Sequence, residues 1–138
     1  MIAYVDSSVL LRLVLGQQGA LSEWSTVEEG VTSALSQVEC LRTLDRLRIV
    51  ERISDVDLSS RREAIFGILA TLSVVDVAGS VLDRAAQPLP TALGTLDAIH
   101  LATAQLWRER AGTTLTMATH DAALATAARS LGMPVVGD

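Results

Sequence analysis

Short apolar runs alternate along the chain with longer stretches in which apolar residues return every three or four positions. Ile2-Ala3-Tyr4-Val5 is an uninterrupted apolar run that ends at Asp6, the pattern of a strand covered on both faces. Val9, Leu10, Leu13 and Val14 then recur at helical spacing up to Gly16, and a second short helix fits residues 20–27. Val31 to Leu35 predicts the next strand, and Val38, Leu41, Leu44 and Leu47 mark one face of the helix after it. A longer helix is expected over 58–72, a third strand over 74–77 and a helix over 79–87. Pro88 and Pro90 break the chain. Helix resumes over 96–110 and stops at Gly112; a strand follows over 114–118, and Gly132 closes a helix over 122–131. Pro134-Val135-Val136 predicts a last short strand at a sheet edge, because proline cannot donate to an interior ladder.

Strands alternating with helices imply right-handed crossovers and a mainly parallel sheet with helices on both faces, a three-layer α/β sandwich. The 138 residues suit one domain spanning 1–138, and no linker, repeat or low-complexity tract divides them. Apolar residues make up 49 %, which argues against disorder. With two Trp, one Tyr and one Phe, aliphatic side chains must fill the core. The apolar surplus suits an oligomer or partner interface, and a dense core suits it nearly as well. Cys40 stands alone, so no internal disulfide can form, which fits a reducing compartment. The first residues meet Asp6 without a basic flank, unlike a signal peptide, and the longest apolar stretch, about 64–75, is too short to span a bilayer. A cytoplasmic protein with no membrane association is expected.

Charge sharpens the picture. The formal net charge is −5 and every basic residue is arginine, which weighs against broad, nonspecific coating of nucleic acid. Four acids share a setting at or near a predicted helix start: Asp6 after the first strand, Glu39 in Ser36-Gln37-Val38-Glu39, Asp97 in Thr95-Leu96-Asp97, and Asp121 in Thr119-His120-Asp121. Each has a purely structural explanation. Ser36 to Glu39 reads as a capping box, and Asp97 and Asp121 sit where a helix dipole favours negative charge, with Thr95 and Thr119 as N-caps. In a parallel α/β sheet, however, helix N-termini gather at the carboxyl ends of the strands, where such sheets bind ligands. Four carboxylates from four segments can therefore meet in one crevice. They would repel one another and raise each other's pKa, and Mg²⁺ is the natural counter-ion for such an oxygen-rich site. Asp6→Asn should then raise the melting temperature in EDTA while lowering activity.

At these residues the chain resembles the PIN-domain family, and within it the VapC-type toxins of bacterial toxin–antitoxin pairs. The matching blocks are residues 2–10, Ser36-Gln37-Val38-Glu39, residues 96–104, and Thr119-His120-Asp121 with residues 131–135 after it. The resemblance implies a five-stranded parallel sheet in order 3-2-1-4-5 and an endoribonuclease dependent on Mg²⁺ or Mn²⁺. It implies Asp6, Glu39, Asp97 and Asp121 as the catalytic, metal-binding acids. It also implies a homodimer, an RNA substrate such as transfer or ribosomal RNA, and inhibition by a small cognate antitoxin of the VapB type.

Other residues change this reading little. Ser7 and Thr119 can donate to a carboxylate or a phosphate, and capping explains them about as well. Arg42 and Arg46 share a helix face with Glu39, where they can steer RNA phosphates or pair with Glu39 or Asp45. His100 and His120 lie beside Asp97 and Asp121, but metal-activated water needs no histidine, so pocket lining or packing is the expected role. Cys40 is expected to be a buried helix residue rather than a nucleophile, and Trp24 and Trp107 to pack or form an interface rather than stack bases. A receiver domain would need a lysine, and a haloacid-dehalogenase-type phosphatase would need an aspartate where Ser8 stands. Neither a Gly-x-x-x-x-Gly-Lys loop nor a Gly-x-Gly-x-x-Gly turn is present. The alternative from a different class is a PIN-like module that binds RNA or an antitoxin without cutting.

Overall fold

Alternation along the first strand sets the layers. In the computed structural model, which describes residues 1–138, β1 (Ile2–Val5) turns Ala3 and Val5 to one side of the sheet and Tyr4 to the other. Ala3 and Val5 pack with Val9, Leu10, Cys40, Leu44, Ile65 and Leu69. These come from α1 (Ser7–Leu15), α2 (Ala34–Glu51) and α3 (Asp55–Leu69). Tyr4 packs with Leu101, Leu115, Met117, Leu124 and Ala128 on the opposite side. That side is covered by α5 (Thr95–Ala111) and α6 (Ala122–Ser130), with α4 (Gly79–Ala85) laid against α5. Two apolar cores thus sandwich the sheet.

The remaining strands are β2 (Glu29–Ser33), β3 (Ser73–Val75), β4 (Thr116–Ala118) and β5 (Val135–Val136). All pair in parallel, in the order β3-β2-β1-β4-β5 that the family resemblance implies. The chain leaves β1 towards β2 and β3, then returns to β4 and β5 on the other flank. The order therefore reverses between β1 and β4. No helix is long and apolar enough to cross a membrane.

Helix ends follow local chemistry. Gly16 and Gly112 take left-handed φ of 60° and 64° at the C-termini of α1 and α5, where a β-carbon would be strained. Several sequence-based readings need correction. The second strand ends at Ser33, and Leu35 already lies in α2, because the Ser33 hydroxyl accepts the Leu35 N–H at 3.1 Å and starts the helix there. Ser36 and Glu39 consequently form no capping box: Ser36 is buried against Thr32 (Oγ to Oγ1, 2.8 Å), and Glu39 is the sixth residue of α2. Residues 22–26 form a 3₁₀ turn in place of the short α-helix expected over 20–27. The edge strand after Pro134 and the packing of both tryptophans against the cores are as expected.

The two faces of α5 should separate by mutation. Leu101 is fully buried and Leu96 is half exposed. Leu101→Ala is expected to cost about 2–5 kcal/mol of unfolding free energy and Leu96→Ala less than about 1 kcal/mol, read by urea denaturation.

Candidate functional site

Each acid arrives at the carboxyl edge of the sheet by a different local route. Asp6 is the N-cap of α1, yet its carboxylate accepts no hydrogen bond from that helix's backbone. It is 4 % exposed, and three hydroxyls hold it: Ser8 Oγ donates to Oδ2 at 2.7 Å, Thr119 Oγ1 to the same oxygen at 2.9 Å, and Ser7 Oγ more distantly to Oδ1 at 3.4 Å. The backbone ties the same two segments, since Asp6 N–H, just past the end of β1, donates to the carbonyl of Ala118, the last residue of β4, at 3.0 Å. Asp121 is itself the N-cap of α6, its Oδ1 accepting the Leu124 N–H at 2.8 Å. Thr119 is thus not the cap the sequence suggested. Its hydroxyl accepts from Asp121 N–H while donating to Asp6, joining two of the acids.

Asp97 is the third residue of α5, whose N-cap is Gly94 rather than Thr95. It sits in the first turn without a single side-chain or backbone donor on its oxygens. Glu39 reaches across from α2 and accepts from His100 Nε2–H at 2.5 Å. His100 is fully buried, its Nδ1 facing the Tyr4 hydroxyl at 2.7 Å and its Nε2 lying 3.6 Å from Asp6 Oδ1.

Electrostatics joins the four. Asp97 is pushed up to about 6 from an ordinary 3.8, first by burial, then by the charges of Asp121 and Asp6 and, less, of Glu39, with only His100 opposing. Burial alone would depress the His100 imidazolium, but the Glu39 hydrogen bond and the charges of Asp6, Glu39 and Asp97 outweigh it and raise its pKa. No arginine relieves the crowding: the ion-paired arginines are engaged with Asp45, Glu109 and Asp138. Arg42 pairs with Asp45 and not with Glu39. Cys40, beside Glu39, is buried, and its thiol is pushed up to about 12 by burial and then by Glu39 and Asp6, so it is no nucleophile.

The acids named from the sequence thus gather at one sheet edge, where the charges of Asp6, Glu39 and Asp121 all bear on Asp97, next to the point where the strand order reverses. They are not drawn into a closed cage: no three acidic or histidine side chains already converge to ligate one ion directly. Ser8 and Tyr4 carried no site signal in the sequence: Ser8 bonds both Asp6, two residues before it, and the His120 N–H 112 residues on, and Tyr4 meets His100 across 96 residues. Ser8 Oγ also accepts the His120 N–H at 3.0 Å.

A doubly covered parallel sheet with acids at its switch point defines a class of α/β protein, and comparison with known proteins says which. Residues 3–130 match the PIN domain family. Over 137 residues the chain is 36 % identical to Ribonuclease VapC46 of Mycobacterium tuberculosis (strain ATCC 25618 / H37Rv), covering 96 % of this chain and 95 % of that protein. Its fold is similar to FitAcB from Neisseria gonorrhoeae, with TM-score 0.73, 19 % identity and coverage of 98 % and 96 % of the two chains. A toxin–antitoxin complex from Klebsiella pneumoniae is also similar, at TM-score 0.64 and 21 % identity over 86 % of each chain. The chain belongs to the PIN-domain family and, within it, to the VapC type.

The raised pKa of Asp97 has a pH signature. A folded-state pKa raised to about 6 means that the folded protein keeps a proton the unfolded chain loses near 3.8. The resulting stability is complete below about pH 4 and is lost as pH rises through about 6. In EDTA, Asp97→Asn should therefore raise the melting temperature by a few degrees at about pH 7.5, and the gain should vanish near pH 4. A difference independent of pH would mean that the Asp97 pKa is not raised in the folded protein.

Proposed function

We propose that this chain is a Mg²⁺- or Mn²⁺-dependent endoribonuclease, the toxin of a toxin–antitoxin pair, restrained by a small antitoxin of the VapB type and acting as a homodimer. The observation that carries the reading is Asp97: a carboxylate with no donor, crowded by three others and ion-paired with no arginine. A protein gains nothing in stability from that arrangement, and a hard cation compensates it. The residues present fit such an ion. They offer carboxylate oxygens only, and one oxygen each of Glu39 and Asp121 has no hydrogen-bond donor. The absence of a ready three-ligand cage suits Mg²⁺, which keeps several waters and takes one or two carboxylates.

Asp6 and Asp97 would hold the ion, directly or through water, with Glu39 and Asp121 completing the shell or orienting the attacking water. Bound there, the cation supplies neutralisation of phosphate charge and a more acidic water for phosphodiester hydrolysis. The chain's own groups do the positioning. Ser8 and Thr119 fix the Asp6 carboxylate, and the α6 N-terminus fixes Asp121 through Leu124 N–H. RNA as substrate is supported by the relative that carries the name ribonuclease at 36 % identity. An apolar partner surface is supported by exposed side chains on α2 and α3, with Val38, Ile49, Val50, Val56 and Phe66 all more than 40 % exposed.

Incubating total RNA with the protein in Mg²⁺ should yield discrete fragments, and EDTA should abolish them. Asp97→Asn should cut the rate by about 100-fold or more, since the lost charge stabilisation is worth several kcal/mol. Equal cleavage in every lane would trace the activity to a contaminant and overturn the assignment. RNA retained but uncut in Mg²⁺ would make the protein a non-cleaving binding module.

A further inference from the structure

His100 is a completely buried imidazole with two polar partners, and the hydrolysis described above does not use it. Its geometry is over-determined. Glu39 can only accept, so Nε2 carries a hydrogen whichever charge the ring has. Nδ1 faces the hydroxyl of Tyr4, which is also fully buried, and the two rings meet edge-on at 69° with centroids 5.9 Å apart. Rotating the imidazole would break both contacts inside a packed core. Asp6 Oδ1, at 3.6 Å, lies beyond hydrogen-bond distance, so the Nε2–H is committed to Glu39.

The position in the fold gives this contact its meaning. Tyr4 stands on β1 two residues before Asp6, and His100 on α5 three residues, one helical turn, after Asp97. Glu39 belongs to α2, on the other side of the sheet. Its side chain is 21 % exposed and has three rotatable bonds, and the His100 N–H is its one hydrogen-bond donor. We infer that Tyr4 and His100 form a positioning relay that holds Glu39 Oε1 so that Oε2 is presented to the metal ion. The relay rests on the proposed function above, in which Glu39 contributes to a metal site. Carboxylates and imidazoles placed behind a metal ligand typically govern affinity through orientation, and here the imidazole stands behind a carboxylate.

The test measures Mn²⁺ binding to the purified full chain by titration calorimetry without RNA, and separately the Mg²⁺ concentration that half-saturates RNA cleavage. Tyr4→Phe and His100→Leu are expected to weaken Mn²⁺ binding about 10–100-fold and to raise the half-saturating Mg²⁺ concentration in step. Glu39→Gln should weaken it similarly, and adding His100→Leu to Glu39→Gln should cause no further loss. His100→Gln, which retains an N–H donor, should recover part of the affinity. Leu115→Ala opens a cavity in the same core at the opposite edge of the sheet; it should lower the melting temperature and leave Mn²⁺ affinity unchanged. If His100→Leu does not fold, the near-isosteric Tyr4→Phe decides. Unchanged affinity in Tyr4→Phe and His100→Leu, or losses that simply add to that of Glu39→Gln, would overturn the relay while the wild type still binds Mn²⁺ and cuts RNA. A wild type that binds no Mn²⁺ would overturn the metal site and the relay together.

Discussion

Like charges confined to one edge of a sheet repel, and the rest of this structure can be understood as a way of tolerating that repulsion without dispersing it. Asp6 is held by the hydroxyls of Ser8 and Thr119, Asp121 by the amide of Leu124, and Glu39 by the imidazole of His100. Asp97 alone receives no donor, and burial first, then the charges of Asp121 and Asp6, push its pKa up to about 6. A fold selected only for stability would place an arginine there, and this chain has eleven of them. The arginines that form ion pairs do so elsewhere, with Asp45, Glu109 and Asp138.

The topology explains why four distant segments must share this burden. Parallel strands send every crossover helix back to start at the same edge, and the reversal of order between β1 and β4 opens a crevice there. Asp6 and Asp121 follow the two strands that flank the reversal, and their segments are laced by Asp6 N–H to the Ala118 carbonyl and by the Thr119 hydroxyl, which donates to the Asp6 carboxylate and accepts from the Asp121 N–H. Glu39 and Asp97 come from helices on opposite faces. The His100–Glu39 hydrogen bond spans those faces and ties the two helical layers at the site itself. Orientation of the acids and packing of the two cores are therefore coupled through buried Tyr4 and His100.

The surface repeats the theme of unfinished business. Val50 and Val56 are 74 % and 78 % exposed, near the turn between α2 and α3, while Leu44 and Ile65 from the same helices are fully buried. The apolar surplus visible in composition thus divides between a dense core and an exposed apolar face.

Much of this was legible from the chain alone. Periodicity located all five strands and the six helices to within a few residues, because burial on one face or two leaves its mark on spacing. The four acids could be named because each stands beside a strand end or a helix start, positions defined locally. Caps were less secure: Ser33 rather than Ser36 starts α2, and Gly94 rather than Thr95 starts α5, since several neighbouring residues can satisfy the same backbone amides. What only the tertiary structure decided is which acid bears the crowding, what Ser8 and Tyr4 do, and that His100 faces Glu39 across 61 residues of sequence. Side-chain partnership of that kind depends on distance and burial in the folded molecule, and no local pattern of residues encodes either.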